Sequence, residues 1–453
     1  MTAAGEGAVP AIIPPVAVRA FSTVSAAGIG QAALLAALRD GRTCLTHNHF
    51  GDPTLDTFVG AVAALDVPAA KDPPLSMPAA LADRWDARAP RLAWLGLVAD
   101  DFLAEVRAAV ARHGALRVGL ALGTSAATIG VTEAAYRALT PEGAFPAPLR
   151  RPQLNTPHAL ALFVTEATGI AGPVVTVSTA CSSSAKVFAV AERWLRLGLV
   201  DAVVAGGVDA LCQSVLYGFA ALGLVSPAPC RPFDRRRDGI SVGEAAGFAL
   251  VERVEGAGAA GPAAGRGPGE RARPAPLRLL GHGEANDAFH MSSPHPEGLG
   301  AELALDAALA RAGIDGAAVD YVNLHGTASP KNDEVEAALV ARRYGARTLA
   351  SATKGLTGHT MGAAGMLEAA ICLLALRHGV VPGSPGCEEP DDAFAAGSSG
   401  SPATATSRGP GAVAAAGGPC LVREACVRTV RIAASHSFGF GGNNAVLVFG
   451  SAT

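Results

Sequence analysis

In the stretch VVTVSTACSSSAKVFAVAERWLRLG, Val174 to Gly198, a lone cysteine is followed at once by three serines. A short apolar run of strand type leads into Cys181. The helix after it puts Val187, Val190, Ala191 and Trp194 on one face by i, i+3, i+4, i+7 spacing, and Gly198 stops it. Cys181 therefore sits where a buried strand turns into a buried helix. Free N–H groups and the helix dipole at such a turn favour an anion, which predicts a lowered thiol pKa and a populated thiolate. The same N–H groups can hold a developing oxyanion. Ala180, Ser182, Ser183 and Ser184 are small residues that cap the helix and leave room for a substrate. The arrangement is the cysteine counterpart of the strand–turn–helix elbow that presents a nucleophilic serine in other α/β enzymes.

A thiolate needs partners, and three later stretches offer them. NLHGTASPKND puts His325 just after an apolar strand, in a loop of small and hydroxyl residues. TKGLTGHTMGAAGMLEAA puts Lys354 and His359 in a glycine-rich turn ahead of a helix that carries Glu368. In SHSFGFGGNN, Gly439, Gly441 and Gly442 give the backbone freedom to approach a ligand closely.

These residues must be positioned by a large scaffold. LRVGLALGT, VVTVSTA and DAVVAGGVDAL read as strands around the helix after Cys181; VDYVNLHGT and TLASATKG repeat the strand role later, with DEVEAALVARRYG and MGAAGMLEAAICLLALRHG as helices. Each half closes on an apolar strand, GFALVERV or NNAVLVFG. Strands alternating with helices predict a layered α/β fold of two related halves, 1–274 with the cysteine and 275–453 with the histidines and the glycine loop. Segments 256–276 and 386–420 are rich in Gly, Ala, Pro and Ser without periodicity, and read as exposed insertions.

Composition narrows the class. A chain of 453 residues, half of them hydrophobic, has ample material for a buried core. No uninterrupted apolar run is long enough for a bilayer and no secretory pattern opens the chain, so a soluble cytoplasmic setting is expected. A net charge of −3 argues against a nucleic-acid groove and offers no polybasic membrane patch. The cysteines at 44, 181, 212, 230, 372, 387, 420 and 426 are scattered, without Cys-x-x-Cys or zinc-type Cys/His spacing, so no metal is expected.

TACSSS, HGTAS, TKGLTGH and SFGFGGNN occur in the order and approximate spacing of the β-ketoacyl-[acyl-carrier-protein] synthases, of the elongating type with two histidines. The resemblance covers nearly the whole chain, with VSAAGIGQAALLAALRDGRT similar to the family's opening strand and helix and CRPFDRRRDGISVGEAAGFALVE to its middle segment. It implies the thiolase-like fold, five α-β-α-β-α layers from two duplicated halves, and no cofactor. It further implies that Cys181 takes an acyl chain from acyl carrier protein as a thioester, with the N–H groups of Cys181 and Phe440 as oxyanion hole. His325 and His359 would donate to the thioester oxygen of a malonyl group as carbon dioxide leaves. Lys354, near Glu368, reads equally as an ion pair shaping the site or as a catalytic group. Thr327 and Ser329 match positions that bind the pantetheine arm, Phe438 lies in the substrate-binding set, and Asp333 and Asn443 read as loop scaffolding. Phe440, flanked by glycines, is either a gate to the acyl pocket or a fixed core aromatic.

The chain departs from the family pattern in two places. Ala328 and Ser329 stand where housekeeping enzymes show two hydroxyl residues ending in threonine, and GEAAG replaces GEGAG. These changes resemble synthases of aryl-polyene or other secondary-metabolite clusters. No acyltransferase or carrier motif accompanies them, so a discrete enzyme is implied, paired with itself or with a paralogue. Three rivals stand beside this reading. A thiolase would carry a second cysteine in the terminal glycine loop, an initiating synthase would need an asparagine in place of the second histidine, and a non-catalytic chain-length factor would lack the nucleophile.

Overall fold

The computed structural model describes residues 12–66, 75–254, 277–391, 412–414 and 419–451. The first half supplies β1 (Val16–Ser25), β2 (Val118–Gly123), β3 (Val174–Val177), β4 (Ala202–Asp209) and β5 (Ala245–Arg253). The second supplies β6 (Leu277–Asn286), β7 (Tyr321–Asn323), β8 (Leu349–Ser351), β9 (Ala412–Ala414), β10 (Cys420–Val422), β11 (Ile432–Gly439) and β12 (Asn443–Ser451).

The halves repeat one topology. The first runs β1-β5-β4-β2-β3 and the second β6-β12-β11-β7-β8, with β10 and β9 added beyond β8. In each half the first two pairings are antiparallel and the last two parallel. Three antiparallel residue pairs between β1 and β6 join the two sheets edge to edge. Central strands such as β4, AVVAGGVD, are buried on both faces, as parallel strands between helical layers must be.

Five layers follow from the packing. Helices α1 (Arg88–Val98), α2 (Phe102–His113) and α3 (Ala159–Thr168) cover the outer face of the first sheet. Helix α4 (Ser183–Arg196) lies between the sheets, α5 (Leu299–Ala312) and α6 (Pro330–Arg343) cover the outer face of the second, and α7 (Ala364–His378) joins α4 in the middle layer. With a sheet on either side, α7 is buried at every position from Ala364 to Leu376, which explains an apolar composition all round. Met361–His378 is long and apolar enough by length and mean hydropathy to cross a membrane, but Glu368 and Arg377 interrupt it and 89% of it is buried inside the protein.

Three expectations need correction. Strand β3 is the outermost strand of its sheet and only half-buried, because no strand lies along its far edge among the described residues. On α4, Val190 and Trp194 are only partly buried, while Phe188 and Leu195 reach the core beside Val187 and Ala191. The segment 386–420 is not an exposed loop at its ends. The amides of Glu388 and Glu389 both donate to the Asp234 carboxylate at 2.8 and 2.7 Å, Asp391 pairs with Arg237, and Cys420 is buried in β10. Residues 392–411 and 415–418 of that segment, the whole of 256–276, and the boundary placed at 274/275 lie outside the described residues.

Candidate active site

Strand β3 delivers the chain to Ala180, whose φ of +52° is a left-handed conformation that a residue with a Cβ adopts only under constraint. The turn tips Cys181 to the start of α4, where it is 6% exposed. The serines do not cap the helix through their side chains as the sequence suggested. Ser183 Oγ instead donates to Ala180 O at 2.6 Å and accepts from Thr179 N at 2.9 Å, locking the elbow. Ser182 Oγ donates to Thr179 O at 2.9 Å, and Ser184 Oγ accepts from Met366 N at 2.8 Å, tying α4 to α7. A Cβ at Gly123 would lie 2.4 Å from Ser184 N, so only glycine lets the sheet come this close to the helix start.

The thiol is not a resting thiolate. Burial pushes Cys181 up to about 11, opposite to the sequence expectation, although the Phe440 amide, the Lys354 ammonium and the Cys181 amide all pull it down. Desolvation of the anion outweighs the donors that would stabilise it.

His359 and His325 converge on this sulfur from the other half. His359 Nε2 lies 3.0 Å from Cys181 Sγ, and the two imidazoles meet edge to face with centroids 5.4 Å apart. The His359 backbone is pinned to a first-half segment, with N donating to Ser241 O at 2.7 Å and O accepting from Gly243 N at 2.9 Å. Burial, with Lys354 beside them, holds both imidazoles well below the usual histidine range, so both are neutral at pH 7.

Lys354 organises the second imidazole. It pairs with Glu368, donates to His325 O, and places Nζ 3.3 Å from His325 Nδ1. An ammonium has only hydrogens to offer, so Nδ1 is the acceptor and the ring proton sits on Nε2. Burial raises Glu368 to about 7 despite the Lys354 charge. The Cys181, His325 and His359 ligand atoms lie within 4.8 Å of one another, a Cys/His₂ donor set. With its proton on Nε2, His325 offers that set a donor in place of a lone pair.

The remaining sequence candidates also gather here. Thr327 Oγ1 and Ser329 Oγ are 2.9 Å apart on a cavity of about 500 Å³ that Cys181, both histidines, Phe438 and Phe440 also line. Asp333 accepts from Phe233 N at 2.8 Å and Ala328 N at 3.2 Å, a scaffold for the histidine loop, and burial raises it to about 6. Asn443 accepts from Lys186 Nζ at 3.2 Å and donates to Phe440 O at 3.4 Å. A second, mainly apolar cavity of about 310 Å³ opens on the far side of Phe440, bordered by Ala180, Val215, Gly218, Leu222 and Met361. Phe440 and Cys181 line both spaces, and the Phe440 ring meets Phe219 edge to face at 5.6 Å. A Cβ at Gly439 would stand 3.2 Å from Cys181 N, so the glycine loop runs directly over the nucleophile's backbone.

Two buried carboxylates escaped the sequence analysis. Asp209 accepts from Thr124 Oγ1, Ser125 N, Ala126 N and Gly362 N at 2.7–2.8 Å, joining the turn after His359 to the wall of the apolar cavity. Its signal was a charged residue ending an all-apolar strand. Glu336 accepts from the amides of His325 and Gly326, both at 2.8 Å. Its signal was the i, i+3 spacing from Asp333, which puts both carboxylates on the side of α6 that faces the histidine loop.

A buried thiol, two neutral imidazoles and two backbone N–H groups thus meet at the junction of two cavities. Residues 14–257 match the family model described as beta-ketoacyl synthase, N-terminal domain, and residues 278–388 the corresponding C-terminal domain. Nodulation protein E of Rhizobium meliloti (strain 1021) is 34% identical over 339 residues, covering 74% of this chain and 76% of that protein. The 3-oxoacyl-[acyl-carrier-protein] synthase 2 of Vibrio cholerae is 30% identical over 357 residues, 75% of this chain and 77% of that protein. Among solved structures, the ketosynthase ApeO in complex with its chain length factor ApeC from Xenorhabdus doucetiae gives a chain 31% identical, with a TM-score of 0.78 over 97% of this chain and 98% of that one. This chain belongs to the β-ketoacyl synthase family, and it is a condensing enzyme of fatty-acid or polyketide biosynthesis.

Proposed function

We propose that Cys181 is the acylated nucleophile and that His325 and His359 stabilise the enolate formed when a malonyl thioester loses carbon dioxide. The observation that carries this reading is His359 Nε2 at 3.0 Å from Cys181 Sγ, with Lys354 fixing the proton of the neighbouring imidazole on Nε2. In the first half-reaction the sulfur attacks the carbonyl of an acyl thioester. Its proton passes to the departing thiol, and the oxyanion rests on the N–H groups of Cys181 and Phe440. In the second half-reaction the carboxylate leaves as carbon dioxide and its electron pair forms the enolate. Two neutral N–H donors face the developing oxygen charge in a buried site, and the carbanion then attacks acyl-Cys181 and expels the thiolate.

The acyl chain occupies the apolar cavity beyond Phe440, and the carrier's pantetheine arm enters through the larger cavity past Thr327, Ser329 and Phe438. The named relatives support acyl carrier protein as the substrate carrier, and the ketosynthase–chain length factor complex supports a paralogous partner subunit. The half-buried outer edge of β3, Val174–Val177, has no strand beside it among the described residues and offers either kind of second chain a place to pair. We read the division into a nucleophile half, 1–274, and a histidine half, 275–453, as the functional one, and the pathway as secondary metabolism of the aryl-polyene kind. Eight free cysteines support a reducing, cytoplasmic setting. The chain-length-factor alternative is disfavoured by Cys181 and its contact with His359, and the thiolase alternative by a glycine loop, Phe438 to Asn444, without a cysteine. Peptide mapping after incubation with an acyl carrier thioester tests the reading: the adduct is expected on Cys181, and labelling only at another cysteine overturns it.

A further inference from the structure

Behind His325 lies a polar chain that the proposed reaction does not use. His436, on β11, is fully buried; its Nε2 is 2.7 Å from Tyr344 Oη and its Nδ1 is 3.0 Å from Glu336 Oε1. Glu336 Oε1 also accepts the His325 amide, and Oε2 accepts the Gly326 amide, both at 2.8 Å, with Asn332 Nδ2 at 3.4 Å. The Phe438 ring stands 5.1 Å from His436 and 5.9 Å from His325, in contact range of both.

The hydrogens can be assigned. A carboxylate holding two backbone amides accepts and does not donate, so the His436 proton is on Nδ1. In the neutral ring Nε2 is then an acceptor, and the Tyr344 hydroxyl donates to it. Burial, with Glu336 nearby, raises Tyr344 well above the usual tyrosine range, in keeping with a hydroxyl that retains its proton. The order is Tyr344 O–H to His436, His436 N–H to Glu336, and Glu336 to the two amides that begin the His325 turn. That turn is demanding, since Gly326 has φ +37° and a Cβ there would stand 2.5 Å from Ala352 Cβ. Among the described residues these are the hydrogen bonds the two amides make.

We propose that His436 is a positioning residue for His325: by bridging Tyr344 and Glu336 it fixes the turn from which the imidazole reaches toward Cys181. The inference rests on the assignment of His325 to enolate stabilisation. Its consequence is selective. Acylation uses the elbow and the glycine loop, so His436 acts on decarboxylation and condensation and leaves acyl transfer to Cys181 alone. A small displacement of a reacting group can cost up to about 10²-fold in rate.

The test compares His436→Leu, which removes both hydrogen bonds, with His436→Asn, whose amide keeps a donor where Nδ1 stood, in the full chain. Single-turnover acylation of Cys181 and decarboxylative condensation are measured separately, and the ring nitrogens of ¹⁵N-histidine are followed by NMR. The expected result is condensation lowered about 10- to 100-fold in the leucine variant, near-parent condensation in the asparagine variant, and unchanged acylation in both. The His325 ring signals should move in the leucine variant. Equal loss of acylation and condensation, or parent condensation in a folded leucine variant, overturns the proposal. Should leucine prevent folding, Tyr344→Phe removes only the outer link: a displaced His325 signal with intact acylation supports the proposal, and an unmoved signal overturns it. A parent enzyme that is never acylated at Cys181 would instead refute the underlying functional reading.

Discussion

Lys354 and Glu368 form an ion pair sealed in the interior at the inner end of the site, and the same ammonium reaches His325 through both its carbonyl oxygen and its Nδ1. One cation thus balances a buried carboxylate and sets the tautomer of a catalytic candidate. Breaking such a pair from one side is expensive because it leaves the other charge buried and alone. Lys354→Met should lower unfolding stability by about 3–5 kcal/mol and suppress condensation. Pairing it with Glu368→Gln should restore most of the stability but not the rate. Thermal denaturation and turnover of the two variants check this, and full recovery of rate in the double variant would reduce Lys354 to a structural role.

On the proposed reading the two imidazoles serve the malonyl half of the reaction. His325→Ala and His359→Ala should lose condensation by about 10²–10³-fold each, the usual cost of one oxyanion donor, while Cys181 still accepts acyl groups. Parent-rate condensation in both variants would show that the roles are misassigned.

Phe440 separates the two cavities beside Cys181 and bears on Phe219. An aromatic in that place, between Gly439 and Gly441, can keep the malonyl arm from reacting until the sulfur is acylated. Phe440→Ala should fold and should raise the ratio of carbon dioxide released to ketoacyl product formed. An unchanged ratio would make the ring a fixed wall.

Since burial pushes the Cys181 thiol up to about 11, its thiolate is scarce at neutral pH. Iodoacetamide alkylation of Cys181 in the free enzyme should accelerate about tenfold per pH unit from neutrality toward about 11, where an ordinary thiol would level off near 8.5. A plateau already reached at pH 7 would mean that the helix start and the Phe440 amide prevail over desolvation.

The long Gly- and Ala-rich segment divides into parts with different expected tolerance. Replacing 392–411 with a short Gly-Ser linker should leave turnover nearly unchanged, because loop length alone changes stability little. A deletion that reaches Glu388 to Asp391 removes their bonds to Asp234 and Arg237, and should destabilise the fold in thermal denaturation.

What could be read from the sequence had its chemistry within a few residues. Cys181 was marked by the strand, turn and helix around it, and His325, Lys354 and His359 by short loops at strand ends, so the site and the duplicated α/β fold were both legible. Contacts between distant segments were not. Ser184 bonds to Met366, Glu336 to His436, and Asp209 to Gly362, and no local pattern reports such pairs. The thiol's charge state was misjudged for the same reason: the helix start is local, whereas burial of Cys181 comes from both halves closing over it. The β3 edge misled because an apolar strand reads alike in the middle of a sheet and at its outermost edge.

The most direct test of the account is the mass of Cys181 peptides after the purified chain meets an acyl carrier thioester and then malonyl carrier. The first addition should place one acyl group on Cys181, and the second should discharge it with release of carbon dioxide and a ketoacyl product longer by two carbons. An unmodified Cys181, or an acyl-Cys181 that malonyl carrier fails to discharge in the folded parent protein, would contradict it.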